Sequence, residues 1–166
     1  SKANQAQLKG KISHIFHLAA VYDLNMDDAT GDRVNNEGTR NVVHFANSLG
    51  GKVTLQHMSS VAVAGGHFKG VFKDTMFDEG QDTSQPYYRT KFQSERIVRE
   101  ECKVPWRVYR PGAVVGSSVT GEMDKIDGPY YLFPTIKTIV DSVPKWLPLL
   151  GVEGGKIPIV PVDYVA

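Results

Sequence analysis

The sequence has little of what marks secreted, metal-binding or membrane proteins. Its one cysteine, Cys102, cannot form an internal disulfide, which favours a reducing cytoplasm. Neither Cys102 nor the five histidines show a metal-ligand spacing such as HExxH or CxxC. No apolar run is long enough to cross a membrane, and residues 1–11 lack the apolar core of a signal peptide. These absences predict a cytoplasmic protein with no bound metal and no transmembrane segment.

An excess of charge of either sign is also missing. The 19 Lys and Arg residues nearly balance the 18 Asp and Glu residues, for a net charge of +1. Such a balance predicts no nucleic-acid partner. The hydrophobic share of 41% and the charged share of 22% are ordinary for a folded globular domain, and 166 residues suit one domain.

The predicted elements alternate between strands and helices. Short β-branched or aromatic runs predict strands, and longer runs with apolar residues at helical spacing predict helices. In chain order the elements are a strand over Lys11–His17, a helix over Asp32–Leu49, a strand over Val53–Met58, a helix over Tyr87–Glu101 and a strand over Val104–Tyr109. The alternation predicts an α/β fold with a parallel sheet, whose ligands bind at the carboxyl ends of the strands.

The remaining segments are less regular. Residues 61–86 are rich in Gly, Asp, Thr and Ser and predict a long loop, a kind of segment that is often functional. Residues 129–143 predict a helix and residues 157–160 a short strand. Residues 1–10 have the character of the end of a polar helix, and both ends of the chain are expected to have been cut from something longer.

One pair of residues has the spacing of an acid–base device. Tyr87 and Lys91 stand four residues apart on a predicted helix and therefore share a face. A lysine ammonium beside a phenol favours the phenolate and lowers the pKa of the tyrosine, which can then exchange a proton near neutral pH. The spacing is common, so by itself it favours the simpler interpretation of an exposed Tyr and Lys that share a helix by chance.

Two serines follow the second predicted strand. The hydroxyl of Ser59 or Ser60 could hydrogen-bond a carbonyl oxygen or a developing oxyanion. Serine at the end of a strand is also routine turn chemistry. The motif GxSxG is absent, so a nucleophilic serine is not indicated.

Taken together, five segments are more specific than any one of them. They are His17–Asp23 (HLAAVYD), Asn35–Asn41 (NNEGTRN), Ser59–Gly65 (SSVAVAG), Tyr87-x-x-x-Lys91 and Arg110–Gly116 (RPGAVVG). In order and spacing this series resembles the extended short-chain dehydrogenase/reductases over nearly the whole chain. HLAAVYD, YYRTKFQSERIVRE and YRPGAVVG are most similar to fatty acyl-CoA reductases and to the thioester-reductase domains of carboxylic acid reductases.

The resemblance implies a partial Rossmann-like fold, a doubly wound parallel sheet. The chain would be a single incomplete domain over residues 1–166. Residues 1–116 would hold the cofactor and catalytic core, and residues 117–166 would begin the substrate-binding part. The family's glycine-rich phosphate-binding turn, G-x-x-G-x-x-G, is not in this sequence.

The resemblance also implies catalytic roles. Tyr87 would give or take the proton, and Lys91 would lower the pKa of that tyrosine and bind the nicotinamide ribose. Ser60 stands five residues before the loop glycine Gly65 and would orient the substrate oxygen, with Ser59 the less favoured choice.

A nicotinamide cofactor, NADP or NAD, is implied in the same way. Asn35 would line this cofactor or would instead hold neighbouring strand ends. The Arg-Pro-Gly turn would pass beside the nicotinamide. The implied cofactor-lining residues are Leu18, Ala19, Ala20, Tyr22, Asn35, Ser59, Tyr87, Lys91, Pro111 and Gly112.

The implied reaction is hydride transfer from NADPH to a thioester or aldehyde carbonyl, with a small-molecule substrate such as a fatty acyl-CoA. One alternative is a sugar-nucleotide epimerase or dehydratase of the same superfamily. Ala64 and Ala113 weaken it, because many such enzymes carry an aromatic residue and an asparagine there. Another alternative is an inactive fragment without the phosphate-binding loop.

Two regions carry further expectations. The helices over residues 32–49 and 87–101 correspond to the helices through which family members often form homodimers. The hydrophobic stretch Val143–Leu150 could line an acyl pocket or touch a membrane surface, but a role in covering the core or an interface is favoured.

Overall fold

The structure is a computed structural model that describes residues 2–22, 27–123, 128–144 and 158–166. It divides into two compact units, Ser1–Arg110 and Pro111–Ala166. The border falls inside the Arg-Pro-Gly turn, ahead of the predicted border at Gly116.

A three-stranded parallel sheet organises the first unit. Its strands, in the spatial order β1-β2-β3, are β1 His14–His17, β2 Thr54–Met58 and β3 Trp106–Tyr109. His17 lies opposite His57, and Met58 lies opposite Tyr109. The carboxyl ends of all three strands therefore meet at one edge of the sheet. The predicted α/β fold with a parallel sheet is confirmed.

Helices connect these strands. Their bounds are α1 Lys2–Leu8, α2 Asp28–Gly31, α3 Gly38–Leu49 and α4 Pro86–Glu101. Residues Asp32–Glu37 form a π-helical segment, so the chain stays helical from Asp28 to Leu49. The helix predicted from Asp32 begins earlier because Asp27 caps it, accepting a hydrogen bond from the Thr30 backbone N–H at 2.9 Å. Gly50, with φ of 85°, ends α3 as predicted.

The core of the first unit lies between the sheet and two helices. Its buried members come from α3, β2, α4 and the residue two before β3, and they are Val43, Ala46, Leu55, Ile97, Val98 and Val104. Full burial of one such aliphatic side chain contributes about 1.5–3 kcal/mol to stability. This packing holds α3 and α4 side by side on one face of the sheet, with the start of α4 near the strand ends.

The second unit contains a small parallel pair of strands. They are β4 Ala113–Val115 and β5 Ile159–Pro161. The helix predicted over 129–143 is a 3-10 turn, Gly128–Tyr131, followed by α5 Phe133–Ser142. The predicted strand at 157–160 corresponds to β5, although residue 157 lies outside the described residues, as do residues 145–150 of the hydrophobic stretch. Strand β4 was not predicted.

Within the described residues, no helix is long and apolar enough to span a membrane. The same residues contain no group of three or more His, Cys, Asp or Glu side chains arranged to hold a metal ion.

Candidate active site

The first unit brings together most of the predicted site residues. Ser59 and Ser60 directly follow β2, and residues 18–22 directly follow β1. Tyr87 and Lys91 lie in the first two turns of α4. All of them lie at the carboxyl edge of the sheet, where a parallel sheet binds its ligands. Pro111 and Gly112 begin the second unit.

The Tyr87 phenol is half-buried and hydrogen-bonded to the Ser60 side chain. Burial raises the pKa of Tyr87, and the hydrogen bond from Ser60 opposes that rise. The predicted lowering of this pKa by Lys91 is therefore wrong in direction for this structure. The desolvation of the phenol outweighs the effects that favour the phenolate, so Tyr87 keeps its proton at neutral pH.

Lys91 is buried, with 6% of its surface exposed. Its Nζ donates a hydrogen bond of 3.0 Å to the Met58 carbonyl oxygen at the end of β2. Burial lowers the pKa of Lys91 to about 8, against the opposing effect of the Glu95 carboxylate. An ammonium carries three N–H donors and this bond uses one, so Lys91 has donors left for a ligand at the strand ends.

The two serines have different partners. The Ser60 Oγ accepts a hydrogen bond from the Ala62 backbone N–H at 3.1 Å, and the Ser60 side chain also hydrogen-bonds Tyr87. Ser59 is 3% exposed, and its Oγ donates to Glu95 Oε2 at 2.6 Å. The Ser60 hydroxyl is therefore the one next to Tyr87, because the Ser59 hydroxyl is hydrogen-bonded to the buried Glu95 carboxylate.

Asn35 links the segment after β1 to α4. Its Oδ1 accepts from the Val21 backbone N–H at 2.8 Å, and its Nδ2 donates to the Val21 carbonyl oxygen at 3.1 Å and to Thr90 Oγ1 at 3.2 Å. Because Asn35 is buried and both ends of its amide are engaged, the geometry favours the holding role over direct contact with a cofactor.

An exposed apolar strip lies beside the tyrosine. Leu18 is 60% exposed, Ala19 and Ala20 are exposed, and Tyr22 is 41% exposed. The rings of Tyr22 and Tyr87 meet edge to face, with centroids 4.8 Å apart. Exposed apolar side chains next to a phenol fit a nicotinamide ring, so the residues present here suit the cofactor that the sequence implies.

The close packing of the second unit explains why residue 112 is a glycine. A Cβ at this position would lie 2.7 Å from the carbonyl carbon of Pro158, and the Ala113 backbone N–H donates to the Pro158 oxygen at 2.8 Å. Glycine thus permits the close pairing of β4 with β5. The expected approach of Pro111 and Gly112 to a nicotinamide stays a prediction.

Two histidines lie side by side on the sheet face that α4 covers. The rings of His17 and His57 are 5.2 Å apart. Thr39 Oγ1 gives its proton to the Asn35 carbonyl oxygen at 2.6 Å, so His17 Nε2 must donate to Thr39 at 2.9 Å. His57 is 2% exposed, and neither of its ring nitrogens has a hydrogen-bond partner among the described residues. Burial lowers its pKa to about 3, helped by His17 and Lys91, so His57 is neutral at pH 7.

The sequence analysis missed a buried acid next to this site. Glu95 is fully buried on α4 and binds Ser59, Arg99 and Arg110. A signal was present in the sequence, because Tyr87, Lys91, Glu95 and Arg99 recur every fourth residue and so share one helix face. The structure turns Lys91 and Glu95 of this face inward.

The model of an NAD-binding family, described as "Male sterility protein", matches residues 1–166. The chain belongs to this family. The resemblance to the extended short-chain dehydrogenase/reductases is thereby confirmed.

Two curated fungal proteins are similar to this chain in sequence. The chain is 31% identical over 154 residues to a non-reducing polyketide synthase of Talaromyces marneffei. This match covers 83% of this chain and 6% of the relative. It is 30% identical over 165 residues to the glycine betaine reductase of Emericella nidulans, covering 96% of this chain and 12% of the relative. The chain thus spans a small fraction of the length of both.

A solved structure shows the same fold. The terminal R domain of the myxalamid PKS-NRPS pathway superposes with a TM-score of 0.70 at 24% identity, covering 99% of this chain and 40% of that one.

Proposed function

We propose that this chain carries the catalytic residues of an NAD(P)H-dependent oxidoreductase that reduces a thioester or aldehyde carbonyl, such as that of a fatty acyl-CoA. One observation carries the proposal. The Tyr87 phenol is hydrogen-bonded to Ser60, which follows the end of β2. Lys91, one helical turn further along α4, is buried and bound to Met58, the last residue of β2. These groups fit a proton donor, its partner at the substrate oxygen and a cation for the cofactor ribose.

The raised pKa of Tyr87 suits the reductive direction. A protonated phenol can hydrogen-bond a carbonyl oxygen and give it a proton as negative charge develops there. Ser60 would donate a second hydrogen bond to that oxygen. The nicotinamide, when bound, supplies the hydride.

A thioester substrate needs one further step. Addition of hydride and proton to its carbonyl gives a hemithioacetal, which expels the thiol to leave an aldehyde. The aldehyde could be reduced again at the same residues. The similarity to the glycine betaine reductase of Emericella nidulans supports reduction as the reaction class.

The proposal extends to location and assembly. We place the protein in the cytoplasm, in line with its single cysteine, and we expect a homodimer through the outer faces of residues 32–49 and 87–101. A groove of about 370 Å³ lies between these segments and is lined mostly by charged and amide side chains. Side chains of a partner copy would occupy this groove.

The test is a steady-state assay of the full-length protein with NADPH and acyl-CoA, aldehyde or nucleotide-sugar substrates. Removing the phenol in Tyr87→Phe should lower kcat by about 100-fold or more with acyl-CoA or aldehyde, since a positioned acid contributes on that order. Tyr88→Phe, the adjacent tyrosine, is the matched control and should keep wild-type activity. Equal activity in Tyr87→Phe and the wild type would rule out the proposed role.

A further inference from the structure

A fully buried carboxylate lies beside the candidate site. Glu95 stands one helical turn after Lys91 on α4 and has no exposed surface. It accepts hydrogen bonds from Ser59 Oγ at 2.6 Å, from Arg99 Nε at 2.8 Å and from Arg110 Nη2 and Nε at 2.5 and 3.1 Å. The carboxylate thus joins the serine pair after β2 to the helix that carries Tyr87.

Arg110 extends this network to the long loop. Its side chain is 12% exposed. Its Nη1 donates to the Met76 carbonyl oxygen at 2.9 Å, and its guanidinium lies over the Phe72 ring, 5.4 Å from the centroid. Arg110 therefore binds the helix acid and the loop segment 72–76 at the same time, from the end of β3.

The chemistry of this network favours fixed geometry. Burial alone would raise the pKa of Glu95, but hydrogen bonds from Arg110, Ser59 and Arg99 outweigh burial and hold the pKa below its usual value. An arginine that binds a carboxylate through two nitrogens fixes direction as well as distance. Replacing a buried ion pair with apolar residues often leaves stability unchanged, so such a pair is weak evidence of a purely stabilising role.

Every segment that the network ties together carries or borders the site. Ser59 precedes Ser60, α4 carries Tyr87 and Lys91, and residues 72–76 belong to the loop that follows Ser60. We propose that Glu95 and Arg110 are positioning residues that set Ser60 against Tyr87 and hold loop residues 72–76 beside them. This inference rests on the proposed function and adds to it residues that do not themselves touch the substrate.

The experiment compares Ser59→Ala and Arg110→Lys with the wild type in the full-length protein. Ser59→Ala removes one hydrogen bond and leaves the ion pairs in place. It therefore still tests the network if Arg110→Lys does not fold. The matched control is Arg107→Lys, because Arg107 is an exposed arginine on β3 that lies outside the site and outside the segments expected to form the dimer.

We expect kcat to fall about 10- to 100-fold in both network variants, since small displacements of reacting groups cost on that order. KM should stay near the wild-type value, and Arg107→Lys should leave both parameters unchanged. Hydrogen–deuterium exchange should rise over residues 59–64 and 72–77 in Arg110→Lys and not in Arg107→Lys.

Folded Ser59→Ala and Arg110→Lys proteins with wild-type kcat and wild-type exchange would overturn the inference. If they behave so while Tyr87→Phe is inactive, the inference fails and the proposed function stands. If the wild type reduces none of the substrates, the proposed function fails, and exchange that is unchanged in Arg110→Lys then refutes the positioning network as well.

Discussion

At the scale of single residues, burial decides the charge states at this site more than sequence spacing does. The spacing of Tyr87 and Lys91 predicted a lowered pKa for the phenol, yet burial raises it. Burial also brings the pKa of Lys91 down to about 8. The spacing of two residues along a helix says which side chains share a face, but not how much water either one loses on folding.

Lys91 should therefore set the alkaline limit of activity. Its ammonium is present below about pH 8 and is lost above it, while Tyr87 keeps its proton because the pKa of that phenol is raised. We expect kcat/KM to fall as the pH rises through about 8. In Lys91→Arg, whose guanidinium stays charged, the residual activity should not show this decline. A decline at the same pH in Lys91→Arg would assign it to another group.

His57 should make the domain sensitive to acid. Its pKa is about 3 in the folded state and about 6.5 when unfolded, so the unfolded chain binds more protons between these values. The free energy of unfolding should fall by about 1.4 kcal/mol for each pH unit below 6.5 in that window. Urea unfolding of the domain at several pH values tests this. His57→Gln should flatten the slope, whereas His14→Gln, an exposed histidine on β1, should leave it unchanged; equal slopes in all three would contradict the assignment.

At the scale of elements, the strands and long helices could be predicted because their apolar residues repeat at a clear period. The prediction erred where a segment's state depends on partners distant in the chain. Strand β4 is three apolar residues after a turn, and it is a strand because β5 pairs with it. The inward turn of Glu95 could not be read from α4, because Arg110 and Ser59, which compensate its charge, come from other elements.

The pairing of β4 with β5 depends on Gly112. A methyl group there would overlap the Pro158 backbone, so Gly112→Ala should destabilise the second unit by about 1–3 kcal/mol, as overpacking does. Gly38→Ala is the matched control, because a Cβ at that helical position meets nothing within 4 Å. This substitution should raise the free energy of unfolding by up to about 1 kcal/mol, since alanine favours a helix more than glycine does. Thermal unfolding measures both. An unchanged midpoint for Gly112→Ala would show that the strands can separate without cost.

At the scale of the whole molecule, the chain brings a tyrosine, a serine and a buried lysine to one edge of a parallel sheet. The family match covers all of its residues, while the chain spans 6% and 12% of the two fungal relatives. The phosphate-binding turn expected of the family is not in this sequence, so the proposed activity is to be tested in the full-length protein.

The most direct measurement is the fate of the hydride. The full-length protein would be incubated with acyl-CoA and NADPH that carries deuterium at both positions of nicotinamide C4, and the product analysed by mass spectrometry. Reduction at this site predicts an aldehyde or alcohol that carries the deuterium on its former carbonyl carbon, with label greatly reduced in Tyr87→Phe and retained in Tyr88→Phe. A product without deuterium, or the same labelled product formed equally fast by Tyr87→Phe, would contradict the account.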